Sequence, residues 1–78
     1  MDDRKTMIMH CWKVKSNFTA RKGGLLYVVT LLEFEQDYLR IEFLVASYGK
    51  TETTITLATH DTTREDKKFF KDMGYTIK

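Results

Sequence analysis

Residues Gly24–Tyr48 read GLLYVVTLLEFEQDYLRIEFLVASY, and the way this stretch folds decides the architecture. It is the one long run of strand-forming residues in the chain, and it reads as a hairpin closed on itself. With Gln36 and Asp37 as the two turn residues, antiparallel pairing sets Phe34 opposite Leu39 and Leu32 opposite Ile41. Thr30 then meets Phe43 and Val28 meets Val45 on the same face. The reverse face pairs Glu35 with Tyr38, Glu33 with Arg40, Leu31 with Glu42, Val29 with Leu44 and Tyr27 with Ala46. One face is thus nearly all apolar, and the other carries an opposite-charge pair near the turn. A slip of one residue would exchange the faces, so the pattern fixes which residues share a side.

Outside the hairpin, composition sets limits. The chain has 78 residues, enough for one domain spanning 1–78, and a domain of that size buries only roughly 60% of its unfolded surface. A hydrophobic content of 42% with 31% charged residues is that of a folded globular protein. The net charge of +2 is well short of the excess expected of a dedicated nucleic-acid binder. It hides an asymmetry. Residues 1–24 carry six Lys/Arg against two acids, 25–48 one against four, and 49–78 six against five. A basic start beside an acidic hairpin can orient a partner.

Cys11 is the single cysteine, which excludes a disulfide within the chain and fits a reducing compartment. The opening MDDRKT lacks the apolar run of a secretory signal. Leu25–Leu32 is far shorter than the roughly 20 apolar residues a membrane helix needs. The expectation is a cytoplasmic protein that does not enter a membrane.

In chain order, Met7–Lys15 reads as a first strand and Ser16–Gly24 as a loop ending in Gly23-Gly24, with Phe18 tucked back on the sheet. After the hairpin, Thr51–Thr59 reads as a Thr-rich strand that holds Ile55 and Leu57 on the face of Ile41 and Phe43. This requires an odd-length loop with Gly49 at a left-handed position. Asp61-Thr62-Thr63 opens a helix, where Thr62 with Glu65 or Thr63 with Asp66 has capping-box spacing, and Gly74 closes it. Tyr75–Ile77 reads as a short last strand, with a right-handed crossover if it runs parallel to the fourth. The predicted fold class is α+β. It is a curled antiparallel sheet of four to five strands in the order ββββαβ, with one C-terminal helix packed on one face.

Chemistry has little to work with. Cys11 and His10 are strand neighbours and point to opposite faces, and His60 reaches Cys11 only if the first and fourth strands adjoin. Structural zinc wants four Cys/His ligands, and the chain has three such side chains, so no metal or cofactor is expected. Glu33, Glu35, Asp37 and Glu42 crowd a wet hairpin tip, where acid–base work lacks the desolvated carboxyl it needs. No phosphate loop is present. The chain is therefore expected not to be an enzyme and to have no small-molecule substrate.

Two binding surfaces remain. At about 100° per residue, Arg64, Lys67, Lys68 and Lys71 form a stripe opposite Phe69, Phe70 and Met73. Together with Lys13, Lys15, Arg21 and Lys22, which lie near Trp12 and Phe18, the stripe offers a nucleic-acid surface as the alternative function. The favoured surface is the reverse of the hairpin: Tyr27, Val29, Leu31, Leu44, Ala46 and Tyr48. One short helix covers only one face of a sheet. An uncovered apolar face calls for another occupant. The expected function is a small protein–protein interaction module: a homodimer, an adaptor or an inhibitor of another protein.

Overall fold

Two-residue links and one longer turn fold the chain into consecutive strands in the computed structural model, which describes residues 12–78. β1 (Lys13–Lys22), β2 (Leu25–Phe34), β3 (Asp37–Ala46) and β4 (Thr51–Ala58) are followed by helix α1 (Thr63–Asp72) and a short β5 (Thr76–Ile77). They form an open antiparallel sheet in the order β4-β3-β2-β1-β5 with one C-terminal helix, the ββββαβ arrangement expected for the α+β class.

The largest departure from the expected elements is at the start. The predicted first strand, Met7–Lys15, lies outside the described residues up to Cys11, and Ser16–Lys22 is strand where a loop was expected. The reason is a period of two. Ser16, Phe18 and Ala20 alternate with Asn17, Thr19 and Arg21, and Phe18 and Ala20 are buried. Gly23-Gly24 is the two-residue turn between β1 and β2, with Gly23 at φ 57°. A register shift between Val14 and Ser16 leaves Lys15 as a bulge.

The central hairpin forms in a register two residues away from the expected one. Phe34 pairs with Asp37, Leu32 with Leu39, Thr30 with Ile41, Val28 with Phe43 and Leu26 with Val45. The turn is Glu35-Gln36, with Glu35 at φ 56°. A shift of two preserves the side on which each residue lies, so the hydrophobic pattern is equally content with either register. The observed one matches β2 and β3 along their full ten-residue lengths. β4 joins with Ile41 opposite Ile55 and Leu39 opposite Leu57, through a turn holding Gly49 at φ 91°.

From the end of β4 the chain crosses the sheet to its other edge. β5 pairs antiparallel with β1, Ala20 opposite Ile77 and Arg21 opposite Thr76, and so runs parallel to β4, the direction considered from the sequence, but at the opposite edge of the sheet. This diagonal path lays α1 over the face that carries Phe18, Ala20, Val29 and Leu31. Phe70 is the anchor. Its ring lies 6.1 Å from Phe18, 5.1 Å from Tyr27 and 5.2 Å from Tyr75.

Both helix ends are tied down by specific bonds, and neither predicted capping box forms. Thr62 occupies the N-cap without a side-chain cap, and its hydroxyl donates to Asp66 Oδ2 at 2.7 Å. Asp61 Oδ1 accepts instead from the Thr63 backbone N–H at 2.9 Å and the Thr63 hydroxyl at 2.6 Å. Because that hydroxyl proton is committed to Asp61, Ser16 must be the donor in its 2.6 Å bond to Thr63, which pins the helix start to β1. At the C-terminus Tyr75 N–H bonds to Phe70 C=O at 2.9 Å and Gly74 N–H to Lys71 C=O at 3.0 Å. With Gly74 at φ 91° and the Tyr75 ring meeting Phe70 edge to face, this is a complete Schellman motif.

Candidate functional surfaces

The position of α1 decides which residues are free to bind anything. It covers the face expected to be open. Val29 and Leu31 are each 1% exposed, and Ala46 is also buried. Tyr27 is half-buried beneath the helix, its ring 5.7 Å from Tyr75. Burial first, then Tyr75 and the carboxylates of Glu42 and Glu52, push its phenol above the usual 10.0. Leu44 is half-buried on the same side, and Tyr48 alone of the six proposed contacts is fully exposed, on the turn after β3. The reverse of the hairpin is thus the inside of the fold rather than a docking patch. β1 explains why. It adds Phe18 and Ala20 to this face but Asn17, Thr19 and Arg21 to the other, so the apolar field spans β1 and β2 here, whereas on the other side it stops at β2.

The opposite face carries Leu26, Val28 and Leu32 from β2, Leu39, Ile41, Phe43 and Val45 from β3, and Ile55 and Leu57 from β4. Among the described residues no helix or strand packs on it. Exposure on this face rises toward β4, where Ile55 is 62% and Leu57 74% exposed, with Phe43 also exposed, while Leu39 opposite Leu57 is buried. Trp12 borders the Leu57 end, its ring 6.0 Å from Phe34 and its side chain in one hollow with Leu57, Ala58 and Thr59.

β4 is also a free sheet edge, and its hydrogen-bond phase follows from its neighbours. The Ala46 N–H bonds to Lys50 C=O at 2.9 Å and the Ser47 N–H to Gly24 C=O at 2.8 Å. Alternation along an antiparallel ladder then gives the even residues of β3 to β4 and the odd ones to β2. Glu52, Thr54, Thr56 and Ala58 bond inward. Thr51, Thr53, Ile55 and Leu57 therefore present their N–H and C=O groups outward, and among the described residues no strand lies beside them.

Three of the candidate cations are engaged within the fold. Lys68 Nζ bonds to Asp72 Oδ2 at 2.7 Å, a contact that raises the lysine's pKa. Lys67 Nζ sits 5.7 Å from the centre of the Phe18 ring, and Lys22 Nζ bonds to Met73 C=O at 2.7 Å while lying over Tyr75. Arg64, Lys67, Lys68 and Lys71 do line one shallow hollow on the outer side of α1, together with Thr63, Asp61 and Asp72. Lys13, Lys15, Arg21 and Lys22 are exposed along β1 rather than gathered in a loop. Arg40 is not opposite Glu33 as expected. It faces Leu31, pairs with Glu42, and its Nε lies 3.0 Å from Asp66 Oδ1 without an aligned hydrogen bond.

Of the candidates for chemistry, His10 and Cys11 lie outside the described residues. His60 Nε2 lies 3.2 Å from Glu65 Oε2 at an exposed position. Among the described residues there is no group of His, Cys, Asp or Glu fit to hold a metal ion, and no helix long and apolar enough to cross a membrane. No family model, curated protein or solved structure matches the chain.

Proposed function

We propose that this chain is a small protein-interaction module whose contact surface is the β3–β4 half of the sheet face opposite α1 and the adjoining β4 edge. The observation that carries the reading is the exposure of Ile55 and Leu57, 62% and 74%, beside outward-facing backbone groups. Burying apolar surface is worth roughly 25 cal/mol per Å², and an edge strand supplies directional main-chain bonds for an added strand. The two together favour a protein partner over a small molecule. The test uses the full chain as bait, wild type against Leu57→Lys, with cross-linking and mass spectrometry that count the chain itself among possible partners. Wild type should retain a protein that the variant loses. Equal retention by both, or none by either, overturns the reading.

A second reading, nucleic-acid binding through the outer side of α1, is favoured by the shared hollow of Arg64, Lys67, Lys68 and Lys71. Asp61 and Asp72 in the same hollow oppose it. Binding of a labelled oligonucleotide that weakens steeply with salt, and is lost in Lys67→Glu with Lys71→Glu, would favour it over the first.

A further inference from the structure

We infer that the partner at the β4 edge is a second copy of this chain, joined by antiparallel β4–β4 pairing about a two-fold axis through Thr54. The inference rests on the interaction-module reading and specifies its occupant.

The argument begins with the edge itself. Long strand edges in monomers are guarded by lysine, proline, bulges or short length. β4 has eight residues, TETTITLA, with no lysine or proline and one charge, Glu52. Its pairing with β3 runs without a bulge from Thr51 to Ala58. The opposite side of the sheet has protective devices that β4 lacks. There β1 carries Lys13 and Lys15, is bulged at Lys15, and has its C-terminal half covered by β5. One edge is closed to strand addition and the other is open.

The second step is self-complementarity. The outward-facing residues Thr51, Thr53, Ile55 and Leu57 are symmetric about Thr54. A two-fold axis normal to the sheet at Thr54 pairs Thr51 with the second copy's Leu57 and Thr53 with its Ile55. Every outward N–H and C=O of the four residues then has a partner. The axis preserves faces, so Ile55 and Leu57 of both copies fall on the side opposite α1 and extend a single apolar strip. On the helix side Thr54 meets its own counterpart as a close, non-hydrogen-bonded pair, a favourable threonine contact. Glu52 lies opposite Thr56, so no like charges oppose each other. A heterologous strand would have to match these features by its own sequence. A second copy matches them by symmetry.

The register makes the test specific. Thr53 points its N–H away from β3, so Thr53→Pro removes no bond within the fold, and proline is tolerated at such edge positions. Sedimentation of the full chain over a range of concentrations should give twice the chain mass. Thr53→Pro should keep its circular dichroism spectrum and weaken association by about tenfold or more, since the axis removes the bond twice. As a second probe, Thr54→Cys in a Cys11→Ser background should oxidise to a cross-linked dimer. A non-hydrogen-bonded pair places Cα atoms about 4.5 Å apart, within disulfide reach. Thr56→Cys, whose counterpart is Glu52, should not cross-link. Equal cross-linking at both positions, or a dimer unaffected by Thr53→Pro, overturns the inference. A monomeric wild type that still retains another protein in a Leu57-dependent manner overturns it too, and leaves the interaction-module reading standing. A monomer that retains nothing overturns both.

Discussion

The two faces of the sheet are built from the same strands and from similar residues, yet they have opposite fates. On one, Val29, Leu31, Ala20 and Phe18 are sealed beneath Phe70. On the other, Val28, Ile41, Phe43, Ile55 and Leu57 grade from half-buried to exposed toward the β4 edge. The difference teaches that apolar content alone does not make a core. A core also needs continuity across neighbouring strands and a cover that the connections can reach. β1 extends the apolar field on the covered side and interrupts it with Asn17, Thr19 and Arg21 on the other.

The contrast can be broken most strongly at its anchor. Phe70→Ala removes the ring that touches Phe18, Tyr27 and Tyr75, and should cost about 3–5 kcal/mol in urea unfolding, enough to unfold a domain this small. Gly74→Ala attacks the same cover less directly. At φ 91° a Cβ is strained, so the Schellman motif should weaken by about 1–2 kcal/mol and Tyr75 should lose its fixed stacking. An unchanged unfolding midpoint would show that the helix is held without its C-terminal clamp.

Asp61→Ala leaves the Thr63 N–H without its acceptor and should cost about 1 kcal/mol. The same contact predicts a pH dependence. Hydrogen bonds from the Thr63 side chain and backbone hold the Asp61 carboxyl below its ordinary value of 3.8. Its stabilising contribution is therefore complete above pH 3.8 and is lost as the pH falls through the lowered folded value. Acid unfolding curves of wild type and Asp61→Asn should converge at low pH; curves that coincide at every pH would show that the contact contributes nothing.

At the small end of the scale, Leu57→Ser on the open face should shift the stability of the dilute chain by no more than about 0.5 kcal/mol, because little is buried there to lose. A large loss would mean that this face is a core after all, and the contrast between the two sides would collapse.

Much of the architecture was legible in the residues. The period of two in Leu25–Ala46 and the placement of Ile55 and Leu57 with Ile41 hold, as do the helix after Asp61 and its stop at Gly74. Two features were legible and missed. Ser16–Lys22 carries the alternation of a strand in small and polar residues, and Gly23-Gly24 after it has the length of a hairpin turn. Reading β1 there would have put Phe18 and Ala20 beside Val29 and shown that this apolar face extends over one more strand. The open edge was not legible at all, since which strand is last in a sheet depends on where β5 returns.

The order of apolar and polar residues settled, by itself, which side chains share a face, because successive strand residues point to opposite sides and any even shift of register leaves that division intact. It could not settle which face becomes the interior. That choice was made by the tertiary structure, when the chain left β4, crossed the sheet and paired β5 with β1, because the ten-residue helix α1 can shield only the side it crosses.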